Sequence, residues 1–177
     1  MSVGEMFIYF FMAVIFVILA TLAYAGISAA PWVPLWQKEV KRMLNLAKVQ
    51  AGETLYDLGA GDGRIIIMAA KEFKAHAVGF EMAVLPYFLG YIRILLSRIQ
   101  PRPKLVFANF FKKDLGSADI ICVFLTPPAM EKLKSKFEQE AKKGCRIISY
   151  AFSIPGWQPS VVDRPNKKTT PIYLYSR

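Results

Sequence analysis

Residues 6–27 carry no charged side chain. Coiled as one helix they reach about 33 Å, close to the hydrocarbon thickness of a bilayer. A helix on a soluble core would show a polar position every third or fourth residue, and this run has no such rhythm. The segment therefore reads as a membrane span. Residues 28–34 follow as a linker whose two prolines, Pro31 and Pro34, stop the helix from continuing. The rhythm then turns amphipathic. Trp36, Val40, Met43, Leu44 and Ala47 mark one face of a helix predicted over residues 35–49.

Beyond this point short apolar runs alternate with helical periods. Strands are predicted at 53–58, 76–81, 105–108, 119–125 and 145–151, and helices at 62–73, 83–99 and 129–142. Two final strands, near 160–162 and 172–175, are expected to pair across the turn-rich Arg164-Pro165-Asn166. This alternation predicts an α/β fold with a doubly wound, mostly parallel sheet, preceded by one transmembrane helix. A length of 177 residues leaves room for one ordinary domain, placed at 29–177 behind an anchor at 1–28. The helix at 83–99 is apolar around most of its circumference, relieved only by Arg93, Ser97 and Arg98. Such a helix is either buried on all sides or faces lipid or a partner. In so small a domain it is expected to rest on the bilayer or on a membrane substrate.

Charge sharpens the picture of the span. All 23 Lys and Arg residues follow the apolar run, and of the 13 acidic residues only Glu5 precedes it. Ala23-Tyr24-Ala25 matches the cleavage pattern of a signal peptide. Against that reading, residues 1–5 contain no Lys or Arg and the apolar run is longer than a usual signal core. A retained single-pass anchor is favoured, with the bulk of the chain on the cytoplasmic or equivalent side. The net charge of +10 is compatible with anionic lipid headgroups or with nucleic acid. The anchor favours the lipid surface. Cys122 and Cys145 read as buried thiols in strands, and His76 has no Cys or His partner nearby, so no metal site is expected.

The chemistry concentrates in Asp57-Leu58-Gly59-Ala60-Gly61-Asp62-Gly63-Arg64, between the first domain strand and the next helix. Glycine turns let a ligand approach bare backbone, and the following helix start favours an anionic group. A dinucleotide fingerprint would need its third glycine at position 64, which is Arg. The carboxylate two places before the first glycine suits an ammonium group instead of a pyrophosphate. An amino-acid-plus-nucleoside cofactor therefore fits better than NAD. Glu81, at the carboxyl end of the second strand, is placed to accept from both ribose hydroxyls.

These residues resemble the class I S-adenosylmethionine-dependent methyltransferases, a Rossmann-like fold. The likeness is greatest to the small membrane-anchored protein-lysine methyltransferases, which include those acting on the ATP synthase c-subunit and the adenine nucleotide translocase. Pro31-Trp32-Val33-Pro34, Gly79-Phe80-Glu81, Val123-Phe124-Leu125-Thr126-Pro127 and Trp157-Gln158-Pro159 carry the resemblance further. It implies S-adenosylmethionine held by Asp57, Gly59, Ala60, Gly61, Asp62, Gly63 and Glu81, with the 31–34 linker closing over it. Where that class has an acidic contact to adenine, this chain has Asn109, expected to accept from the adenine amine, with Phe110 stacking on the ring. Thr126 and Pro127 stand where the acceptor is positioned. Base-methylating relatives use a polar residue, Pro-Pro and an aromatic there; this chain has Thr126 and Ala129 around its Pro-Pro, which argues against nucleic acid as the acceptor. Trp32, Tyr150, Phe152 and Trp157 are aromatic candidates for an apolar acceptor pocket. The resulting expectation is a tethered enzyme methylating lysine in a membrane-associated protein. The alternatives are an RNA or small-molecule methyltransferase and a non-catalytic, cofactor-binding membrane assembly factor.

Overall fold

A computed structural model describes residues 1–177. The first element, α1 (Val3–Ser28), is one continuous helix, begun by a capping box in which Ser2 and Glu5 satisfy each other's amides. It is long and apolar enough to cross a membrane. Residues 3–17 are exposed, while Ile18, Thr21, Leu22 and Ala25 are partly covered by the rest of the chain.

The domain behind it is a seven-stranded sheet of order β3-β2-β1-β4-β5-β7-β6. Its strands are β1 (Thr54–Leu58), β2 (His76–Glu81), β3 (Lys104–Phe107), β4 (Ile120–Val123), β5 (Arg146–Tyr150), β6 (Val161–Asp163) and β7 (Ile172–Ser176). β1 to β5 are parallel, and β7 runs antiparallel to both β5 and β6. The expected final hairpin is present. Every residue of central β4 is buried. Ile120 and Cys122 face one hydrophobic cluster, while Ile121 and Val123 face the other. That is why the strand reads as an unbroken apolar run instead of an alternation.

α2 (Gln37–Leu46) and α3 (Arg64–Phe73) cover one face of the sheet, and α5 (Pro127–Glu140) covers the other. α4 (Val84–Leu96) lies between β2 and β3 in sequence, beside α1. Arg42 joins α2 to the C-terminal hairpin by donating to the carbonyls of Asp163 (3.0 Å) and Thr170 (2.7 Å). Arg146 donates to the Ala47 and Lys48 carbonyls at the end of α2, satisfying groups the helix leaves open.

The boundaries move for local reasons. α2 starts two residues later than the sequence suggests, because Trp36 is its N-cap and is 77% exposed, not part of the buried stripe. α3 begins at Arg64 and not at 62, because Gly63 takes a left-handed conformation (φ +75°) at the cap. α4 ends at Leu96, before Arg98 turns to positive φ. α5 begins at Pro127, two residues earlier than expected, since proline at the first helical positions costs no hydrogen bond.

Candidate active site

The sheet order reverses between β1 and β4, so the crevice past their carboxyl ends is where an open α/β sheet binds ligands. A cavity lies there. Its floor is the turn after β1, with Asp57, Gly59, Ala60, Gly61 and Asp62. One wall is the end of β2 with Phe80 and Glu81, a second is Asn109, Phe110 and Phe111, and Phe124 and Leu125 close the third. Over it passes a strap formed by Pro31, Trp32, Val33, Pro34 and Leu35, which leads out of α1.

Asp57 is buried, and its Oδ2 has no hydrogen-bond partner. Burial, then the neighbouring Glu81 and Asp62, pushes its carboxyl up to about 8. An unsatisfied buried carboxyl carries a desolvation cost that a cationic ligand group relieves. Glu81 is also buried, and backbone amides hold both of its oxygens. Its Oε2 accepts from the Gly61 amide at 2.7 Å, and Oε1 accepts from Met82 and Ala83 at 2.8 and 2.7 Å. Three amides fix its carboxylate at the cavity wall and clasp the glycine turn to β2.

Asp62 behaves differently from the expectation for it. It borders the cavity, but its carboxylate is paired with Arg64 and Arg93. Burial pushes this carboxyl up; the hydrogen bonds and charges of Arg64 and Arg93 outweigh that and hold it below the usual carboxylate range. Its oxygens organise arginines instead of facing a ligand. Arg64 also donates to the Leu35 carbonyl and so pins the strap. Gly63 does not line the cavity; it supplies the left-handed cap of α3. Asn109 uses its Oδ1 to accept from the Phe111 amide at 3.0 Å, capping a 3₁₀ turn at Phe110–Lys112. The acceptor oxygen expected for adenine is thus engaged locally, which leaves the side-chain amide as a donor. Phe110 is 7% exposed and packed against Phe111 with ring centres 4.5 Å apart.

Thr126 and Pro127 fall outside the cavity lining. The Thr126 hydroxyl donates to the Ala29 carbonyl at 2.6 Å, and its amide donates to the same oxygen at 3.2 Å. Thr126 therefore fastens the start of the strap to the end of β4, and Pro127 opens α5. Of the aromatic candidates only Trp32 borders the cavity. Trp157 packs on Phe137 and Tyr175 and donates to Glu138 at 3.1 Å. Tyr150 packs edge-on to Phe124.

Two close approaches were not legible from spacing. A Cβ on Gly61 would lie 2.9 Å from Trp32 Nε1, so the indole rests on the bare turn. A Cβ on Gly90 would lie 2.8 Å from the Asp62 carbonyl carbon, so α4 packs its backbone directly on the same loop. The strap covers part of the cavity and leaves it open on the remaining side. No group of three or more His, Cys, Asp or Glu side chains is arranged to hold a metal.

The unpartnered Asp57 carboxyl, the glycine cradle and the fixed Glu81 fit an amino acid joined to a nucleoside. Comparison with known proteins agrees. The family model of the ANTKMT methyltransferase domain matches residues 57–161. A protein-lysine N-methyltransferase of Saccharolobus islandicus is 41% identical over 149 residues, 82% of this chain and 92% of that protein. The adenine nucleotide translocase lysine N-methyltransferase of Mus musculus is 30% identical over 75% of this chain, which spans 57% of that protein's length. Among solved structures, an RNA methyltransferase from Salinibacter ruber in complex with S-adenosyl-L-homocysteine superposes with a TM-score of 0.77. Its identity is 27%, covering 81% of this chain and 93% of that one. The chain belongs to the ANTKMT methyltransferase domain family and is an S-adenosylmethionine-dependent methyltransferase.

Proposed function

We propose that this enzyme methylates lysine side chains of a protein held at a membrane, and that α1 is its own tether to that membrane. The observation that carries the site assignment is the buried, unpartnered Asp57 Oδ2 beside a glycine turn clasped by Glu81. The names of the relatives support lysine as acceptor.

In this reading Asp57 holds the cofactor's ammonium group and Glu81 its ribose hydroxyls. Gly59, Ala60 and Gly61 give backbone access, Asn109 donates to adenine, and Phe110 packs on the ring. When bound, S-adenosylmethionine supplies a methyl group on a positively charged sulfur. The chain's own task is alignment and exclusion of water. An ordinary lysine must also lose a proton, costing about 4.6 kcal/mol at pH 7. The apolar lining from Ala29, Val33, Leu35, Phe124 and Leu125 lowers that cost by disfavouring the ammonium form. Thr126 contributes by anchoring the strap, and backbone carbonyls at the end of β4 orient the amine.

Retention of α1 is supported by its role in the site. Ala25 and Ser28 line the cavity, and Thr21 Oγ1 accepts from the Val84 amide at 3.3 Å. We place the anchor at 1–28, the catalytic domain at 29–177, and that domain on the cytoplasmic or equivalent side, because every Lys and Arg follows the span.

The fold match to an RNA methyltransferase supports a second reading, with RNA as acceptor. Incubating the full chain with methyl-labelled cofactor, a membrane-protein fraction and RNA separates them. Label on lysine of protein, lost with Asp57→Ala, supports the proposal; label on RNA alone overturns it.

A further inference from the structure

The outer face of α4 is largely exposed. Phe88, Tyr91, Ile92, Leu95 and Leu96 form one stripe at helical spacing, with Phe88 57% and Leu96 75% exposed. Phe107 on the edge strand β3 extends the patch, packing on Tyr87 and remaining half exposed. The opposite stripe, Pro86, Gly90 and Ile94, is buried on the domain. An apolar patch of this kind needs an occupant.

The length of α1 indicates which one. From Ile18 onward α1 is packed alongside the domain, and it meets α4 directly at Thr21 and Val84. The free part, residues 3–17, is about 22 Å long as a helix, short of the roughly 30 Å of hydrocarbon it must cross. If α1 spans the bilayer, its packed portion also lies within the lipid. The adjoining face of α4 is then carried in with it.

Charge agrees with this placement. Residues 82–113, which contain α4 and β3, hold no Asp or Glu but include Arg93, Arg98, Arg102, Lys104, Lys112 and Lys113. Arg93 is paired with Asp62, but an apolar helix face in a segment that carries basic and no acidic side chains suits a helix lying in an anionic membrane interface. We propose that α4 is a second, interfacial membrane element. On this reading the outer stripe of α4 is embedded among the lipids of the leaflet that α1 enters, and the domain sits partly sunk. The proposal rests on α1 being a membrane tether. It gives the cavity a position as well. Ala25 and Ser28 of α1 and Met82 and Ala83 before α4 line the cavity, so it opens at headgroup level, where a membrane protein presents its interfacial lysines.

The test uses the full chain reconstituted in vesicles of phosphatidylcholine and phosphatidylglycerol. Phe88→Cys, Ile92→Cys and Leu96→Cys variants carry an environment-sensitive fluorophore on the added cysteine; native Cys122 and Cys145 are buried and label poorly. Phe11→Cys reports on α1, and Ser135→Cys, exposed on α5 across the sheet, reports on water. Expected is several-fold stronger quenching of the α4 probes by acyl-chain nitroxide than by aqueous iodide, with the reverse at Ser135→Cys. Iodide quenching of the α4 probes while the Phe11→Cys probe stays in lipid overturns the docking and leaves the tether standing. Iodide quenching at Phe11→Cys as well overturns both. Protection from both quenchers that disappears on dilution means a second copy covers the face, which also overturns the docking.

Discussion

The Gly61 amide donates to Glu81 Oε2 at 2.7 Å, joining the bend after β1 to the carboxyl end of β2. With the Gly59 and Ala60 amides donating to the Phe80 carbonyl, it ties the cavity floor to the acid that we propose binds the ribose. Replacing Glu81 by Gln puts an amide N–H against at least one of the three backbone donors now held by the carboxylate. A hydrogen bond to a charged group contributes about 1.5–3 kcal/mol. Glu81→Gln is expected to weaken cofactor binding at least about tenfold, read by calorimetry, and to lower the melting temperature.

Trp32 rests on Gly61 at a distance that leaves no room for a Cβ. Gly61→Ala is expected to displace the strap and weaken cofactor binding, and Trp32→Gly in the same chain should recover part of the folding stability. In a Trp36→Phe, Trp157→Phe background, cofactor addition should shift Trp32 emission, because the indole borders the cavity. Unchanged emission at saturating cofactor would contradict the placing of the cofactor beneath the strap.

Thr126 serves the strap through its hydrogen bond to Ala29. Thr126→Val is expected to cost about 1 kcal/mol of stability with a modest change in kcat. A loss of kcat above a hundredfold with an unchanged melting curve would mean that the hydroxyl handles the acceptor directly.

Much of this architecture was legible because it follows from periodicity. The unbroken apolar run of β4, the Asp57-to-Gly63 turn and the acid ending β2 each have a local cause visible in sequence. What escaped depends on contacts between distant segments. Asp62 and Asp57 look alike in the motif. Arg64 in the motif and Arg93, thirty-one residues away on α4, both pair with Asp62, whereas Asp57 keeps an unpartnered oxygen; the distant arginine could not be read from the motif. Asn109 and Thr126 were expected to face ligands because they stand where the class I methyltransferases contact adenine and the acceptor. Here one caps a 3₁₀ turn and the other ties down a linker. Trp36 fitted the helical stripe by spacing but lies at the cap, outside the buried face.

The raised carboxyl of Asp57 gives a pH signature in the cofactor-free protein. Its value rises from 3.8 to about 8 on folding. Below pH 4 both states are protonated and no penalty applies. Between pH 4 and 8 the unfolded chain releases the proton and the folded chain keeps it, so stability falls as pH rises and levels off above about 8. Asp57→Asn removes this slope. Its stability advantage over the wild type, measured by denaturant unfolding, should grow from pH 4 to pH 8.

The same carboxyl offers the most direct check on where the cofactor's ammonium group lies. At pH 7 the cofactor-free Asp57 is mostly protonated, and a cation docking on it must expel that proton. Calorimetric titration of the full chain with S-adenosylmethionine, run in two buffers of different ionisation enthalpy, counts the protons released. The account predicts release approaching one proton per cofactor bound, falling toward zero in Asp57→Asn together with affinity. Tight binding with no proton release, or an Asp57→Asn variant that binds as the wild type does, would contradict it.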